Sequence, residues 1–287
     1  MSSNRRDDFL NQDDLLITVE VNPPKGIELE GKIKQLSKLS NRVAAVNVTD
    51  NPMANLAFNA TIFAHHIQEE LDLTAISHLT CRDKNLLGLQ SDLLAANTLG
   101  VDNFLVLTGD DPKNGDHPDA TGVFDLDSVG LVELITRLNE GFDAQGNSLT
   151  GRPKINPGVA VNPTADNLSV EIKRLNEKVE AGAKFIQTQP VYDVDSLFRF
   201  LDYLGEIEIP ILVGILPLKN EGMADYFNKN VPGIKISKEI LARMRGAGLE
   251  EGIRICQELV TQIKDDVDGI HIMPVGGIET ANQIIAA

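Results

Sequence analysis

The residues best suited to chemistry follow a continuous apolar run. Residues 103–107 are Asn-Phe-Leu-Val-Leu, and Thr108, Gly109 and Asp110 come directly after them. This pattern predicts a fully buried strand with polar groups at its carboxyl end, where α/β barrels keep their active sites. Gly109 lets the backbone approach a flat or anionic ligand closely, and burial can tune a carboxylate such as Asp110. An ordinary strand exit with a helix N-cap has the same pattern, so both interpretations stay open.

Other apolar runs also end in polar side chains. Glu20, Thr49 and His78 lie at or near the ends of the first three runs, and Asn162 and Gln189 mark the ends of two later ones. A closed barrel brings the carboxyl ends of its strands onto one rim. These residues, which are distant in sequence, are therefore expected to lie on the same side of the molecule.

The elements that must position these residues are short apolar runs alternating with helical patterns. The predicted strands are at 15–21, 42–49, 75–80, 104–107, 156–161, 184–189, 210–215 and 269–273. The predicted helices are at 28–39, 55–71, 85–99, 128–141, 167–181 and 194–204, with two more over 221–265, the second broken near 246–252, and a last one starting near 279. Parallel strands need both faces covered, so this order predicts a single-domain (β/α)8 TIM barrel, with a doubly wound open sheet as the alternative. The long Asp-, Gly- and Pro-rich stretch at 111–127 is predicted to be a functional loop over the mouth.

Composition narrows the class of protein. The 287 residues are 42% hydrophobic and can bury one large core, and the net charge of −16 argues against a nucleic-acid partner. Cys81 and Cys256 lack paired spacing, which indicates a reducing compartment and excludes a cysteine-built metal site. Both thiols are expected to have packing roles, and no metal is expected. Residues 1–14 form a polar extension, and no run approaches the roughly 18 apolar residues that span a bilayer. We therefore expect a cytoplasmic protein that does not enter a membrane.

Six ordered motifs resemble those of the methylenetetrahydrofolate reductases, closest to the short bacterial type with the catalytic barrel only. They are Val19-Glu-Val-Asn-Pro-Pro24, His78-Leu-Thr-Cys81, Leu107-Thr-Gly-Asp110 with Pro112, Lys178-Val-Glu-Ala-Gly182, Thr188-Gln189 with Asp193, and Gly214-Ile-Leu-Pro217 with Asn220. The resemblance implies a barrel that binds FAD, with FMN as the alternative, and reduces 5,10-methylenetetrahydrofolate to 5-methyltetrahydrofolate. It also implies NAD(P)H or an electron-transfer partner subunit as the source of electrons. A homo-oligomer is expected as well.

The resemblance implies roles for single residues. Opening the folate ring needs an acid, and Glu20, between two valines, is the candidate for a carboxyl group kept protonated by an apolar site. Asp110 would stabilise the cationic iminium, and Gln189 would bind the pterin edge. Phe227 matches an aromatic that packs on the p-aminobenzoate ring, with simple core packing as the equal alternative. The alternative for Glu20 is a strand-end carboxylate paired with Lys25 or a neighbouring Arg.

The implied flavin contacts come from several strands and one helix. Lys178 matches a lysine near the FAD pyrophosphate, while His78 on its own would be interpreted as a core histidine. The complete implied set is Thr49, His78, Thr108, Gly109, Asp110, Asn162, Glu171 and Lys178.

The chain also departs from the family pattern. Arg often stands at the positions of Thr108, Glu177 and Gly277, and Tyr at that of Asn162. Each departure removes a cation or a stacking surface, which predicts a flavin held more weakly or in an altered pose and leaves the approach of NAD(P)H open.

Two other functions stay open. Val275-Gly-Gly-Ile-Glu279 resembles the phosphate-binding loop of barrel aldolases and isomerases. A non-catalytic folate-binding subunit that has lost its flavin is the other alternative, although pure binding would need no proton donor such as Glu20.

Overall fold

The computed structural model describes residues 9–10, 14–39, 41–231 and 233–286. Eight parallel strands form a closed barrel in which each strand pairs with the next and the eighth pairs with the first. They are β1 (Leu16–Val21), β2 (Ala45–Val48), β3 (Ala75–Thr80), β4 (Asn103–Leu107), β5 (Asn156–Val161), β6 (Phe185–Pro190), β7 (Ile211–Ile215) and β8 (Gly269–Ile272). The predicted (β/α)8 TIM barrel and all eight of its strands are confirmed.

Helices follow the strands on the outside of the barrel. They are α1 (Glu30–Leu36), α2 (Ala60–Leu71), α3 (Leu86–Thr98), α4 (Ser128–Asn139), α5 (Leu168–Glu180), α6 (Val194–Leu204), α7 (Glu221–Asn230), α8 (Lys238–Met244), α9 (Leu249–Ile263) and α10 (Ile278–Ile285). No helix within the described ranges is long and apolar enough to cross a membrane.

Among the predicted boundaries, the break in the second helix of 221–265 is confirmed, whereas the starts of α2 and β2 were wrong. The break lies between Met244 at the end of α8 and Leu249 at the start of α9, and Ser237 caps the start of α8 with its side chain. Helix α2 begins at Ala60, since the Asn59 side chain accepts a hydrogen bond from Ile62 N at 3.0 Å and caps it there. Strand β2 begins only at Ala45.

Two apolar cores follow from the alternation of side chains along each strand. Val19, Val46 and their equivalents pack outward against the helices in the main core. A smaller core fills one end of the barrel interior, formed by Leu16, Ala45, Ile76, Leu105, Phe185 and Leu212 together with Phe9. Gly158 makes room for the Phe185 ring, because a Cβ at Gly158 would lie 2.1 Å from the ring.

The 1–14 extension, expected to be polar, contributes to this inner core. Phe9 is 1% exposed, and its ring meets Phe185 edge-on at a centroid distance of 5.7 Å. Burying an aromatic side chain of this kind contributes about 2 to 3 kcal/mol. The extension is polar in composition, but its Phe9 side chain packs into the apolar end of the barrel interior.

The irregular connection predicted at 111–127 runs from β4 to α4 and contains a short 3-10 turn at Pro112–Asn114. Val123 N and Phe124 N donate to the carbonyls of Arg82 and Cys81 at 2.7 and 3.1 Å. Asp116 forms an ion pair with Lys25 at 2.6 Å. These contacts tie the connection to the loops after β1 and β3, so it lies along the mouth of the barrel.

Candidate active site at the barrel mouth

The carboxylate of Glu20 points into the barrel, where it meets an imidazole. Glu20 pairs with Asn47 in the register between β1 and β2, and its Oε2 lies 3.8 Å from Nε2 of His271 on β8. Burial works to raise the pKa of Glu20, but the two imidazoles beside it, His271 foremost, outweigh burial and hold the pKa of Glu20 below its usual value. The expectation that apolar neighbours keep Glu20 protonated therefore needs correction, because Val19 and Val21 belong to the outer core and His271 decides the environment.

Lys25, the other partner considered for Glu20, is engaged elsewhere. Its Nζ lies 2.6 Å from Asp116 Oδ2, across the mouth loops. Glu20 is therefore free of that pairing, and its side chain remains 26% exposed in a cavity of about 220 Å³ that Lys32 also lines.

A polar layer lies next to the inner apolar core. Thr18 Oγ1 is 2.9 Å from His271 Nδ1, and Asn47 Nδ2 is 3.2 Å from His78 Nε2. Thr18, Asn47, His78 and His271 are all 5% exposed or less. Burial lowers the pKa of His78 to about 4, so this imidazole is neutral near pH 7. His78, predicted as a flavin contact, is therefore placed within the polar layer.

Of this layer, His78 was predicted as a site residue, whereas His271, Thr18 and Asn47 were not. A usable signal was present, since polar residues occupy every second position in otherwise apolar strands, as Thr18 and Glu20 do in β1 and His271 does in β8. That period of two marks the inner face of a barrel strand.

The ends of β2 and β4 form further parts of the rim. Thr49 Oγ1 donates to Asn22 Oδ1 at 2.8 Å, and Thr108 Oγ1 accepts from Ser128 N at 3.3 Å. Gly109 has φ of 95°, and a Cβ there would lie 3.0 Å from Arg82 Cβ, so this backbone conformation favours glycine. Asp110, which follows it, is exposed to solvent at the rim.

A charged cluster beside Gly109 was also missed. Arg82 is 2% exposed, and its Nε and Nη2 form a fork with the carboxylate of Asp83 at 2.8 and 2.7 Å. Asp50 accepts from the backbone N and Oγ1 of Thr80 at 3.0 and 2.8 Å, and burial raises the pKa of Asp50. Asp50 and Asp110 both stabilise the charge of Arg82. A buried arginine thus packs against the loop that follows Thr108, with its guanidinium held by Asp83.

The predicted residues on β5 and α5 contact one another through the backbone. Glu171 Oε1 accepts from Asn162 N at 2.8 Å, and Lys178 Nζ donates to Ala160 O at 2.7 Å. Lys178 is 7% exposed, and burial lowers its pKa. The lysine predicted beside a pyrophosphate therefore lies under the end of β5 and not on the open rim.

Gln189 and Phe227 occupy different surroundings. Gln189 is exposed near the end of β6, where the register with β7 shifts between Gln187 and Pro190. Phe227 is half-buried and packs against the small core formed by Tyr192, Leu218, Ala224, Ile234, Ile236, Met244 and Ile255. Its neighbour Tyr226 is 59% exposed. The structure thus brings Gln189 to the same rim as Glu20, whereas Phe227 takes part in local packing.

The remaining predictions concern cysteines, metals and the loop after β8. Cys81 and Cys256 are buried, and burial raises the pKa of each thiol to about 12, in agreement with packing roles. No cluster of three or more potential ligands that could hold a metal ion occurs in the described ranges. In the loop, Gly277 precedes α10, but Glu279 in its first turn is acidic and forms an ion pair with Lys38 at 3.5 Å. An acidic first turn disfavours a phosphate.

Solved structures match the fold. A protein from Clostridium thermocellum described as binding two copies of 5-methyl-5,6,7,8-tetrahydrofolic acid has a TM-score of 0.67 at 16% identity, over 98% of this chain and 95% of that one. Riboflavin lyase has a TM-score of 0.55 at 9% identity, over 95% and 90% of the two chains. At these identities the similarity concerns the fold alone.

Similar sequences belong to proteins named methylenetetrahydrofolate reductase. Methylenetetrahydrofolate reductase 2 of Schizosaccharomyces pombe is 24% identical over 86% of this chain, and 5,10-methylenetetrahydrofolate reductase of Salmonella typhimurium is 28% identical over 77%. The matches span 40% of the yeast protein and 72% of the bacterial one. The family model described as methylenetetrahydrofolate reductase matches residues 5–287. Because this match covers nearly the whole chain, the protein belongs to the methylenetetrahydrofolate reductase family.

Proposed function

We propose that this protein reduces 5,10-methylenetetrahydrofolate to 5-methyltetrahydrofolate with a bound flavin. The observation that carries the proposal is the carboxylate of Glu20 at the barrel mouth, 3.8 Å from His271, in a chain that matches the reductase family from residue 5 to 287. The reaction needs a proton at a weakly basic ring nitrogen, and a carboxyl group beside an imidazole can supply one.

The donor set at the mouth fits a flavin. Thr49, Asn162 and the backbone at Gly109 offer hydrogen-bonding groups after β2, β5 and β4 respectively. Lys178 is a buried cation under β5 that would reach a flavin phosphate only once its bond to Ala160 O is exchanged, and its match to a family lysine near the FAD pyrophosphate favours FAD over FMN. The bound flavin would supply the hydride that reduces the methylene carbon.

Glu20 would receive its proton as the site fills. Its side chain is 26% exposed, so a ligand over the mouth would remove the water that still solvates the carboxylate. Loss of solvation raises the pKa of a carboxyl group and opposes the lowering caused by His271. Glu20 is thus ionised in the open protein and is proposed to become an acid when the substrate covers it.

Two exposed side chains on the rim complete the proposed substrate site. Asp110 presents a carboxylate where positive charge would develop on the substrate, and Gln189 offers both a donor and an acceptor to the pterin edge. Phe227 is assigned a packing role in the small core beside the mouth. Electrons would come from NAD(P)H or from a partner subunit, and a cytoplasmic homo-oligomer remains part of the proposal.

The absorption spectrum of the purified protein is the first test. A flavin band, followed by heat release and mass analysis, should identify FAD. The protein is then reduced anaerobically and mixed with 5,10-methylenetetrahydrofolate, and flavin reoxidation should accompany formation of 5-methyltetrahydrofolate. Bound flavin without reoxidation would disprove the reaction. Failure to bind flavin after reconstitution, with folate binding still seen by calorimetry, would favour the non-catalytic subunit instead.

A further inference from the structure

One connected chain of hydrogen bonds crosses the barrel interior below Glu20. Its centre is a pair of side-chain amides: Asn47 Nδ2 donates to Gln187 Oε1 at 2.8 Å, and Gln187 Nε2 donates to Asn47 Oδ1 at 3.2 Å. At one end Asn47 Nδ2 meets His78 Nε2 at 3.2 Å. At the other end Gln187 Nε2 donates to Thr18 Oγ1 at 3.4 Å, and Thr18 Oγ1 is 2.9 Å from His271 Nδ1.

Burial makes the direction of each bond important. The five side chains, Thr18, Asn47, His78, Gln187 and His271, are 5% exposed or less. A buried polar group without a partner costs about 1 to 3 kcal/mol, so the chain is stable only when donors and acceptors match throughout.

Donor counting fixes the hydrogen on His78. The amide nitrogen of Asn47 has two hydrogens and no acceptor capacity, and it directs one to Gln187 and one to His78 Nε2. Nε2 of His78 must therefore accept, and the neutral ring carries its hydrogen on Nδ1. The low pKa of His78, about 4, agrees with a ring that stays neutral near pH 7.

The hydrogen on His271 follows from the same counting together with the charge on Glu20. The amide nitrogen of Gln187 gives one hydrogen to Asn47 and one to Thr18, so Thr18 Oγ1 accepts from Gln187 and keeps its own hydroxyl hydrogen for a further acceptor. A neutral His271 ring that turns an N–H towards the ionised Glu20 leaves Nδ1 as that acceptor, 2.9 Å from Thr18 Oγ1. His271 then carries its own hydrogen on Nε2, the nitrogen that faces Glu20. With both amides reversed, the lone pair of Nε2 would face the ionised carboxylate, so charge on Glu20 selects the first orientation.

We propose that the Asn47 and Gln187 amide pair is a positioning element that fixes opposite tautomers in His78 and His271 and so turns a ring N–H of His271 towards Glu20. Neither amide contacts Glu20 among the described residues, and each acts through an imidazole. The consequence for proton transfer rests on the proposed reductase function, whereas the tautomers themselves do not.

The tautomers can be measured by nitrogen NMR of protein labelled on histidine, without folate or electrons. At pH 7 the signals of His78 and His271, assigned by loss in His78→Gln and His271→Gln, should show hydrogen on Nδ1 and on Nε2 respectively. Gln187→Met keeps the volume but removes the amide, so both rings should change to mixtures of tautomers.

Thr18→Val provides a one-sided test that also covers the case in which Gln187→Met fails to fold. It cuts the chain between Gln187 and His271, so the His271 signal should change while His78 keeps its hydrogen on Nδ1. The matched control is Asn156→Leu, which breaks the other interstrand amide contact, 3.0 Å from Asn156 Nδ2 to Asn103 Oδ1, and should leave both histidines unchanged.

Two results would overturn the inference. The first is a hydrogen on Nε2 of His78 or on Nδ1 of His271 in the unmodified protein. The second is a His271 signal that stays unchanged in Gln187→Met and in Thr18→Val. Because no turnover is measured, a protein that reduces no folate could still show the tautomers, and an active reductase could lack them.

Discussion

Glu20 is the residue on which the proposed chemistry depends most directly. Glu20→Gln preserves size and hydrogen bonding but cannot give up a proton. The variant should bind flavin and accept electrons normally, while reoxidation of its reduced flavin by 5,10-methylenetetrahydrofolate falls by roughly 10²- to 10⁴-fold. Anaerobic stopped-flow at the flavin band measures this rate. Near-normal reoxidation would leave Glu20 as a structural strand-end carboxylate.

His271 should control the ionisation of Glu20. The interaction between Glu20 and the His271 ring lowers the pKa of Glu20 against the effect of burial. In His271→Leu that lowering is lost, although His78 on β3 and Lys32 on α1 remain nearby, so the pKa of Glu20 should rise. The folate half-reaction should then keep its protonated acid to a higher pH. A pH profile identical to that of the unmodified protein would separate His271 from the acid.

Asp110 offers a test that separates binding from chemistry. Asp110→Asn keeps the shape of this exposed rim residue and removes its charge. Flavin should still bind, the folate half-reaction should slow and the flavin potential should rise, because a negative charge near the cationic substrate and the flavin is lost. Stopped-flow and a redox titration measure the two effects. If neither changes, Asp110 only ends the strand.

At the scale of elements, the connection between α7 and α8 rests on the end of β5. Thr164 Oγ1 donates to Gly233 O, and Lys235 lies 3.4 Å from Asp166. Gly233 has φ of 79°, and a Cβ there would lie 1.7 Å from Asn162 Nδ2. This connection therefore covers Asn162, one of the proposed flavin contacts, and its seating should affect the site.

Gly233→Ala should displace that connection. The positive φ alone costs about 1 kcal/mol with a side chain present, and the clash with Asn162 adds to it. Faster proteolysis at residues 231–237 and weaker flavin binding are expected. Gly246→Ala is the matched control, since Gly246 has φ of 66° but nothing within 4 Å of its Cβ position. Equal effects in the two variants would show strain alone and no seating on Asn162.

For the whole molecule, the buried His78 should make folding sensitive to acid. Its pKa is lowered from 6.5 to about 4 by burial, so the unfolded chain binds a proton between these values while the folded protein does not. Stability should therefore fall as the pH drops from about 6.5 towards 4, by roughly 3 kcal/mol in total. Urea unfolding at several pH values should show a smaller decline in His78→Gln. Parallel declines in the two proteins would contradict this assignment.

The sequence by itself determined the barrel and the identity of most rim residues. Apolar runs of strand length alternating with helical patterns require a parallel sheet covered on both faces, and strand ends such as Glu20, Gly109 and Gln189 follow from local order. Those features depend on neighbours along the chain, which is why the runs identified all eight strands. Helix ends were less accurate because they depend on single caps, such as Asn59 and Ser237.

Only the tertiary structure decided which groups meet across the barrel. The sequence predicted apolar surroundings for Glu20 because Val19 and Val21 are its neighbours along the chain. The alternation of side chains along β1 instead places both valines in the outer core and turns Glu20 towards His271. Closure of β8 on β1 makes that contact, between residues 251 positions apart, and no local pattern contains it. The amide pair of Asn47 and Gln187 and the buried position of Lys178 have the same origin, since long-range packing sets both the partners and the solvation of a buried polar group.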